Sequence, residues 1–125
     1  MLNYLLVSIG AAIGGALRYG LSNYIQKKQS IIFPTGTMLV NIIGSFILGI
    51  IMFYLNEKEL IGNELRLFLT VGLCGGFTTF STFSYETMML FKDSEIGLAF
   101  LNILLNLTLC LLGIYLAYLI SKLIG

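Results

Sequence analysis

Four apolar stretches separated by short polar loops dominate this sequence and limit what it can fold into. The stretches run from about residue 2 to 25, 34 to 55, 64 to 91 and 96 to 124. Each one reaches the roughly 20 residues that a helix needs to cross the hydrocarbon core of a bilayer. The connecting loops are too short to fold separately, so the sequence predicts one all-α membrane domain with four transmembrane helices.

The composition agrees with a membrane protein and excludes several classes of function. Only 10% of the 125 residues are charged, whereas soluble domains carry roughly 25% charged residues. The mean hydropathy is +0.95. A formal charge of +1 offers no basic surface to nucleic acid. Histidine is absent, which removes the commonest general base and a usual zinc ligand, so we expect no enzyme.

The first stretch and the cysteines have simple interpretations. The N-terminus begins apolar, without a positively charged segment or a small-residue cleavage site after a short core. We therefore expect a first transmembrane helix that is retained. Cys74 and Cys110 both lie in apolar stretches, and we expect them to be packing residues without a disulfide.

The third stretch contains a segment that is unfavourable for a continuous helix. Gly75 and Gly76 are followed by β-branched threonines, and hydroxyls then alternate with phenylalanines up to Phe83. A break inside hydrocarbon leaves backbone groups without partners, which is tolerated where protein or a water-filled path receives them. Freed carbonyls can bind a cation, and a half-helix N-terminus favours an anion. The sequence predicts a break near 75–79 that marks an ion or substrate site; a packed glycine kink is the alternative.

Side-chain amides lie where lipid is expected. Asn41 is in the second stretch, and Asn102, Asn106 and Cys110 share one face of the fourth. An amide in hydrocarbon must find a partner or face water. These residues either donate hydrogen bonds to an anion or join neighbouring helices, and the sequence leaves both interpretations open.

Two faces of the helix after the predicted break differ in chemistry. Thr79 and Thr82 share one face with Glu86, while Phe80 and Phe83 share another. A phenyl ring has a positive edge, so ring edges with amide and hydroxyl donors could replace the water around a small anion. The alternative for the phenylalanines is core packing. The alternative for Glu86 is a solvated position near a helix end.

Arg18, near the end of the first stretch, has two interpretations as well. Its long side chain can reach the membrane interface by snorkelling. Alternatively, it puts a positive charge at the mouth of a pore.

Positive charges are almost balanced between the two sides of the predicted bundle. Three lysines lie in the first and third loops, and three cations lie on the opposite side: Lys27, Lys28 and Lys92 against Lys58, Arg66 and Lys122. Arg18, near the end of the first stretch, makes the count four against three at most. Because the positive-inside rule acts through a bias, this chain has little reason to choose one orientation. The sequence thus predicts dual topology and an antiparallel dimer; a fixed orientation is the alternative.

Small residues at a spacing of four predict close helix packing. Gly10 and Gly14 form one GxxxG motif, Gly72 and Gly76 form a second, and Ser45 and Gly49 are a comparable pair. Each motif by itself favours packing within one chain. Together they indicate a dense bundle that forms an oligomer.

Three motifs together resemble the Fluc (CrcB) family of fluoride channels. They lie at Gly14–Tyr19, in Asn41-x-x-Gly44-Ser45-Phe46, and in GGFTTFSTFSYE from Gly75 to Glu86. The resemblance covers essentially the whole chain. It implies an antiparallel dual-topology homodimer in the cell membrane, with two pores through which fluoride leaves the cytoplasm by passive diffusion, so that fluoride toxicity is relieved.

The resemblance also implies roles for individual residues. The expected fluoride pore residues are Phe80, Phe83, Asn41, Thr79, Thr82, Asn102, Asn106 and Arg18. Asn102 and Asn106, with Cys110, align with a polar track on the fourth helix that the family often builds with tyrosine and serine. The backbone carbonyls of Gly75 and Thr78 match a structural Na⁺ site on the dimer axis.

Two other functions compete with this one. A small multidrug antiporter is also a four-helix dimer, but it needs a titratable carboxylate deep in the membrane. The first stretch has no acid, and Glu86 lies towards the end of the third. A membrane scaffold without transport would explain the glycines, but it would not explain the intramembrane amides.

Overall fold

Four long apolar helical spans make up the part of the chain that the structure describes. The computed structural model describes residues 1–29 and 32–125, so Ser30, at the end of the predicted first loop, lies outside the described residues. The spans are Leu2–Lys28, Thr35–Asn56, Asn63–Lys92 and Ile96–Ile124. Each is long and apolar enough to cross a membrane, which confirms the predicted all-α architecture with four spans.

The second and third spans are not uniform α-helices. In the second, an α-helix over Thr35–Ile50 continues as a π-helix over Ile51–Asn56. The third begins as an α-helix and has a π-helix in its middle. Its helical parts are Asn63–Leu67 (α), Phe68–Cys74 (π), Gly75–Phe77 (α) and Phe80–Lys92 (α). Between the last two parts, Thr78 and Thr79 have extended backbone, with ψ angles of 159° and 117°.

The two GxxxG motifs pack against each other within the chain. A Cβ atom placed on Gly10 would lie 2.6 Å from the carbonyl oxygen of Phe68, and one on Gly76 would lie 2.6 Å from that of Ala11. A larger side chain at either position would therefore push the first and third spans apart. This agrees with the use within one chain that each motif favours.

Close contact also joins the second and fourth spans. A Cβ atom on Gly49 would lie 2.6 Å from the Cβ of Ala117, which itself is fully buried. Gly113 lies beside the second span, 3.5 Å from the Ile42 carbonyl by the same measure. The bundle is thus built from two tightly packed pairs of spans.

Two loops start with the same helix-ending motif. Glu59 and Ser94 have positive φ angles of 57° and 63°. After each, a backbone N–H returns to a carbonyl five residues earlier, from Leu60 to Leu55 and from Glu95 to Leu90, both at 2.8 Å. This Schellman pattern ends a helix sharply, so the chain reverses direction within a few residues.

Candidate functional site

The extended residues of the third span start a new helix inside the bundle. Thr79 is the N-cap of the helix Phe80–Lys92, and its hydroxyl accepts a hydrogen bond from the Thr82 N–H at 3.1 Å. The first N–H groups of a helix have no partners within it and carry a partial positive charge. A helix N-terminus therefore lies within the third span rather than at its end.

Asn41 supplies the hydrogen bonds that the backbone lacks at this point. Its Oδ1 accepts from the Thr79 N–H at 2.8 Å, and its Nδ2 donates to the Thr79 carbonyl at 3.1 Å. In a continuous helix, the Thr79 N–H would bond to the Gly75 carbonyl. The amide of Asn41 takes that place, so the Gly75 carbonyl is released from the helix ladder.

A chain of buried side chains continues from Asn41 through the fourth span. Asn41 Nδ2 donates to Asn106 Oδ1 at 3.4 Å, and Asn106 Nδ2 donates to Asn102 Oδ1 at 2.9 Å. Asn102 Nδ2 donates to the Thr87 hydroxyl at 2.8 Å, and that hydroxyl donates to the Phe83 carbonyl at 2.8 Å. Exposures of 1% for Asn102 and 4% for Asn106 put this chain in the interior of the bundle.

A groove of about 370 Å³ opens beside the extended residues, between the second, third and fourth spans. Its wall combines polar and apolar side chains: Asn41, Ser45, Thr78, Thr79, Phe80, Phe83, Asn106, Leu107, Cys110, Leu111 and Ile114. Five of the eight residues expected in a pore from the sequence line this one groove. They reach it from three different spans, which a sequence alone cannot show.

The two phenylalanines of the groove have very different surroundings. Their ring centroids are 5.3 Å apart, and the ring planes are tilted by 53°. Phe83 is only 7% exposed, whereas Phe80 is 71% exposed and projects from the chain. In a membrane, the free side of Phe80 must meet lipid, another protein surface or a water-filled passage.

Comparison with known proteins identifies the family. The family model described as "CrcB-like protein, Camphor Resistance (CrcB)" matches residues 5–118. The chain belongs to this family. The resemblance in the sequence motifs is thereby confirmed.

Several curated relatives of this CrcB family member are named "Fluoride-specific ion channel FluC". One from Geobacter sulfurreducens is 45% identical over 113 residues, covering 90% of this chain and 91% of its own length. One from Shewanella sp. W3-18-1 is 45% identical over 116 residues, with 93% of both chains covered. One from Koribacter versatilis is 41% identical and covers 89% of this chain and 88% of its own. All are named as channels, and none supports the antiporter or an enzyme.

Three residues expected in the pore lie outside the groove wall of this CrcB family member. Thr82 is half-buried and bonds to the Thr79 hydroxyl. Asn102 is buried behind Asn106. Arg18 donates from Nε to the Gly76 carbonyl at 3.0 Å, at the end of the helix that precedes the extended residues. A cation there interacts favourably with the negative end of the helix dipole.

Glu86 lies away from the groove. It lines a second cavity of about 250 Å³ at the end of the bundle, together with Gln26, Pro34 and Asp93. Its Oε1 is buried without a hydrogen-bond partner, and the Thr37 side chain lies beside the carboxyl group. The carboxylate is therefore held near one end of the bundle, where the first and third loops meet.

Thr87 bonds to the amide chain behind the groove, and Cys110 lines the groove itself. Sequence reasoning did not single out Thr87, although it follows Phe83 by four residues and so shares its helix face. Cys110 lines the groove one turn after Asn106. Both cysteines are free thiols, as expected.

Proposed function

We propose that this protein is a fluoride-specific channel that lets fluoride leave the cytoplasm by passive diffusion. The observation that supports it most directly is the shared name of relatives that are 41–45% identical over about nine-tenths of the chain. The groove has the chemistry that such a channel requires. It combines amide and hydroxyl groups with two phenylalanine rings beside a helix N-terminus.

Fluoride is small and strongly hydrated, so a passage must replace its water with closely spaced donors. Asn41 provides an N–H donor on the groove wall, and its second N–H makes only a long bond of 3.4 Å. Asn106 and Thr79 line the same wall, and the Thr79 hydroxyl donates to the Thr82 hydroxyl. The edges of the Phe80 and Phe83 rings carry partial positive charge and suit an anion. Asn102 supports the wall from behind, and Arg18 adds a positive charge at the Gly76 carbonyl, just before the extended residues.

We propose that the working unit is an antiparallel dual-topology homodimer with two pores in the cell membrane. The interruption at Thr78 and Thr79 acts as a broken helix at the centre of this dimer. The exposed Phe80 and the open groove support a partner surface there. The even distribution of cations over both ends supports insertion in both directions.

A structural Na⁺ at the dimer centre is part of the same proposal. The Gly75 and Thr78 carbonyls would hold it, and carbonyl oxygens freed from a helix are suitable ligands for this ion. The diversion of the Thr79 N–H to Asn41 fits this assignment, because it leaves the Gly75 carbonyl without its helical partner. When bound, the cation would neutralise the partial negative charge of such carbonyls.

Anion efflux from liposomes tests the function. Purified protein is reconstituted into vesicles loaded with fluoride or chloride, and release is followed with ion-selective electrodes. We expect rapid release of fluoride and none of chloride above the level of empty vesicles. Equal release of both anions, or no release from vesicles whose insertion is verified by protease protection, would contradict the proposal.

A further inference from the structure

Thr87 ends the buried chain of side-chain amides, and its hydroxyl fixes the direction of the hydrogen bonds there. The hydroxyl donates to the Phe83 carbonyl at 2.8 Å, so its oxygen is left to accept. It accepts from Asn102 Nδ2 at 2.8 Å. This turns the NH₂ of Asn102 towards Thr87 and leaves its Oδ1 facing Asn106.

Asn102 in turn holds Asn106 by two hydrogen bonds. Asn106 Nδ2 donates to the side-chain oxygen of Asn102 at 2.9 Å and to its backbone carbonyl at 3.0 Å. Both N–H groups of the Asn106 amide are therefore used on the side away from Asn41. The amide cannot approach Asn41 without lengthening these bonds.

The next bond along the chain is the weakest. Asn41 Nδ2 lies 3.4 Å from Asn106 Oδ1, beyond the roughly 2.7–3.2 Å that is typical of N–H···O hydrogen bonds. The same nitrogen makes a normal bond of 3.1 Å to the Thr79 carbonyl. One of the two Asn41 N–H groups is thus held firmly, and the other only loosely, beside the groove that Asn41 and Asn106 both line.

We infer that Thr87 is a positioning residue: through Asn102 it holds Asn106 back from Asn41, so that one Asn41 N–H is available to an anion in the groove. This inference rests on the proposed function. An N–H that already makes a short bond in a buried site is costly to transfer to a passing ion, whereas a loosely bonded one is not. The role of Thr87 is exerted without contact with the ion.

Removing the Thr87 hydroxyl should release the far end of the amide chain. In Thr87→Val, the shape is kept, but the Asn102 NH₂ loses its acceptor at a position that is 1% exposed. An unpaired buried donor reorients to find another partner. Asn102 then releases Asn106, which can close the gap and bind the second Asn41 N–H tightly.

Three variants separate this role from a merely structural one. We expect Thr87→Val to lower fluoride efflux from liposomes by roughly tenfold, within the range of couplings found in one hydrogen-bond network. Thr87→Ser keeps the hydroxyl and should remain within about twofold of the wild type. Thr70→Val is the matched control. Thr70 lies in the same span, and its hydroxyl likewise donates to the carbonyl four residues earlier, that of Arg66, at 2.7 Å. Equal efflux from Thr87→Val and wild type, or equal losses in the valine and serine variants, would overturn the inference.

Two further measurements keep the test decisive if Thr87→Val is simply unstable. In an Asn102→Leu background, Thr87→Val should cause no additional loss of efflux, since Thr87 acts through Asn102. Side-chain NMR of ¹⁵N-labelled asparagine should show the Asn41 amide protons moving downfield in Thr87→Val as that bond shortens. Additive losses or an unmoved Asn41 resonance would refute the role of Thr87. A wild type that releases no fluoride would refute the proposed function instead, while the NMR measurement still tests the connection.

Discussion

At the scale of single residues, Asn41 links the fold to the site. The sequence left two interpretations for it, a donor to an anion and a bond between helices. Its contacts with Thr79 and Asn106 join three spans, so the second interpretation is confirmed. The first stays a prediction, and the two are compatible because the amide also lines the groove.

Asn41→Asp should lower fluoride efflux by at least tenfold. A carboxylate can still accept from the Thr79 N–H, but it has no N–H for the Thr79 carbonyl or for Asn106. It also places a negative charge in the anion path, and like charges in a medium of low dielectric repel strongly. Asn3→Asp, near the exposed start of the first span, is the control. Normal efflux from Asn41→Asp would remove Asn41 from the pathway.

Phe80→Ile and Phe83→Ile should both slow fluoride efflux but differ in their effect on stability. Phe83 is buried, so its replacement leaves a partial cavity and should cost about 1–3 kcal/mol, less than the 3–5 typical of Phe→Ala. Phe80 is 71% exposed in the single chain, so its replacement costs little unless a partner covers it. Thermal unfolding in detergent and liposome efflux measure the two effects. Phe100→Ile, at an exposed phenylalanine of the fourth span, is the control, and normal efflux in both test variants would exclude a role for the rings.

At the scale of secondary structure, sequence patterns predict the spans better than their internal irregularities. Hydropathy and length fix the four spans to within a few residues, because a membrane helix needs a continuous apolar run. The first span continues to Lys28, three residues beyond its predicted end, since polar side chains can extend a helix into the interface. The π-helices have no comparable signal, because a shifted hydrogen-bond ladder depends on the neighbouring spans.

The sequence predicted where the candidate site lies, but not which side chains of other spans contact it. Gly75 and Gly76, followed by threonines, predicted a helix break near 75–79. The residues with extended backbone are Thr78 and Thr79. The partnership of Asn41 with Thr79 depends on how the second and third spans pack, so no local pattern contains it. Thr87 was missed for the same reason: a threonine in a helix acquires meaning only when Asn102 lies opposite.

The N-cap at Thr79 should contribute measurably to stability. Thr79→Val removes the acceptor for the Thr82 N–H and should lower the free energy of unfolding by about 1 kcal/mol, within the range of 0.5–2 for such caps. Thr79→Ser keeps the oxygen and should stay near the wild type. Denaturant unfolding in detergent, followed by circular dichroism, measures the difference. A valine variant as stable as the serine variant would show that the cap contributes nothing.

At the scale of the whole molecule, two features of the single chain bear on how it assembles. The groove is open on one side, and the exposed Phe80 stands at its edge. The two ends of the bundle carry similar positive charge, so one end is not marked for the cytoplasm. Both features are explained together if a second copy, inserted in the opposite direction, covers the groove.

Single cysteines in two loops can measure this orientation. In a background with Cys74→Ala and Cys110→Ser, Leu60→Cys reports on the second loop and Ser94→Cys on the third, and neither substitution changes the charge. The two loops lie at opposite ends of the bundle. If copies insert in both directions, each loop faces outward in about half of them, so an impermeant maleimide added to intact cells should label about half of each loop. Complete labelling of one loop and none of the other would establish a fixed orientation.

Lysines added to one loop should force the chain to insert in a single direction, and two variants with opposite orientations should then complement each other. Leu60→Lys with Ile61→Lys adds positive charge to the second loop, and Asp93→Lys with Ser94→Lys adds it to the third. Each variant alone should insert in one direction, form no antiparallel pair and release little fluoride, because the positive-inside rule holds the loaded loop in the cytoplasm. When both are expressed together, opposite copies are present again and efflux should return. Full efflux from either variant alone would show that one orientation suffices, and the antiparallel pair would then be unnecessary for conduction.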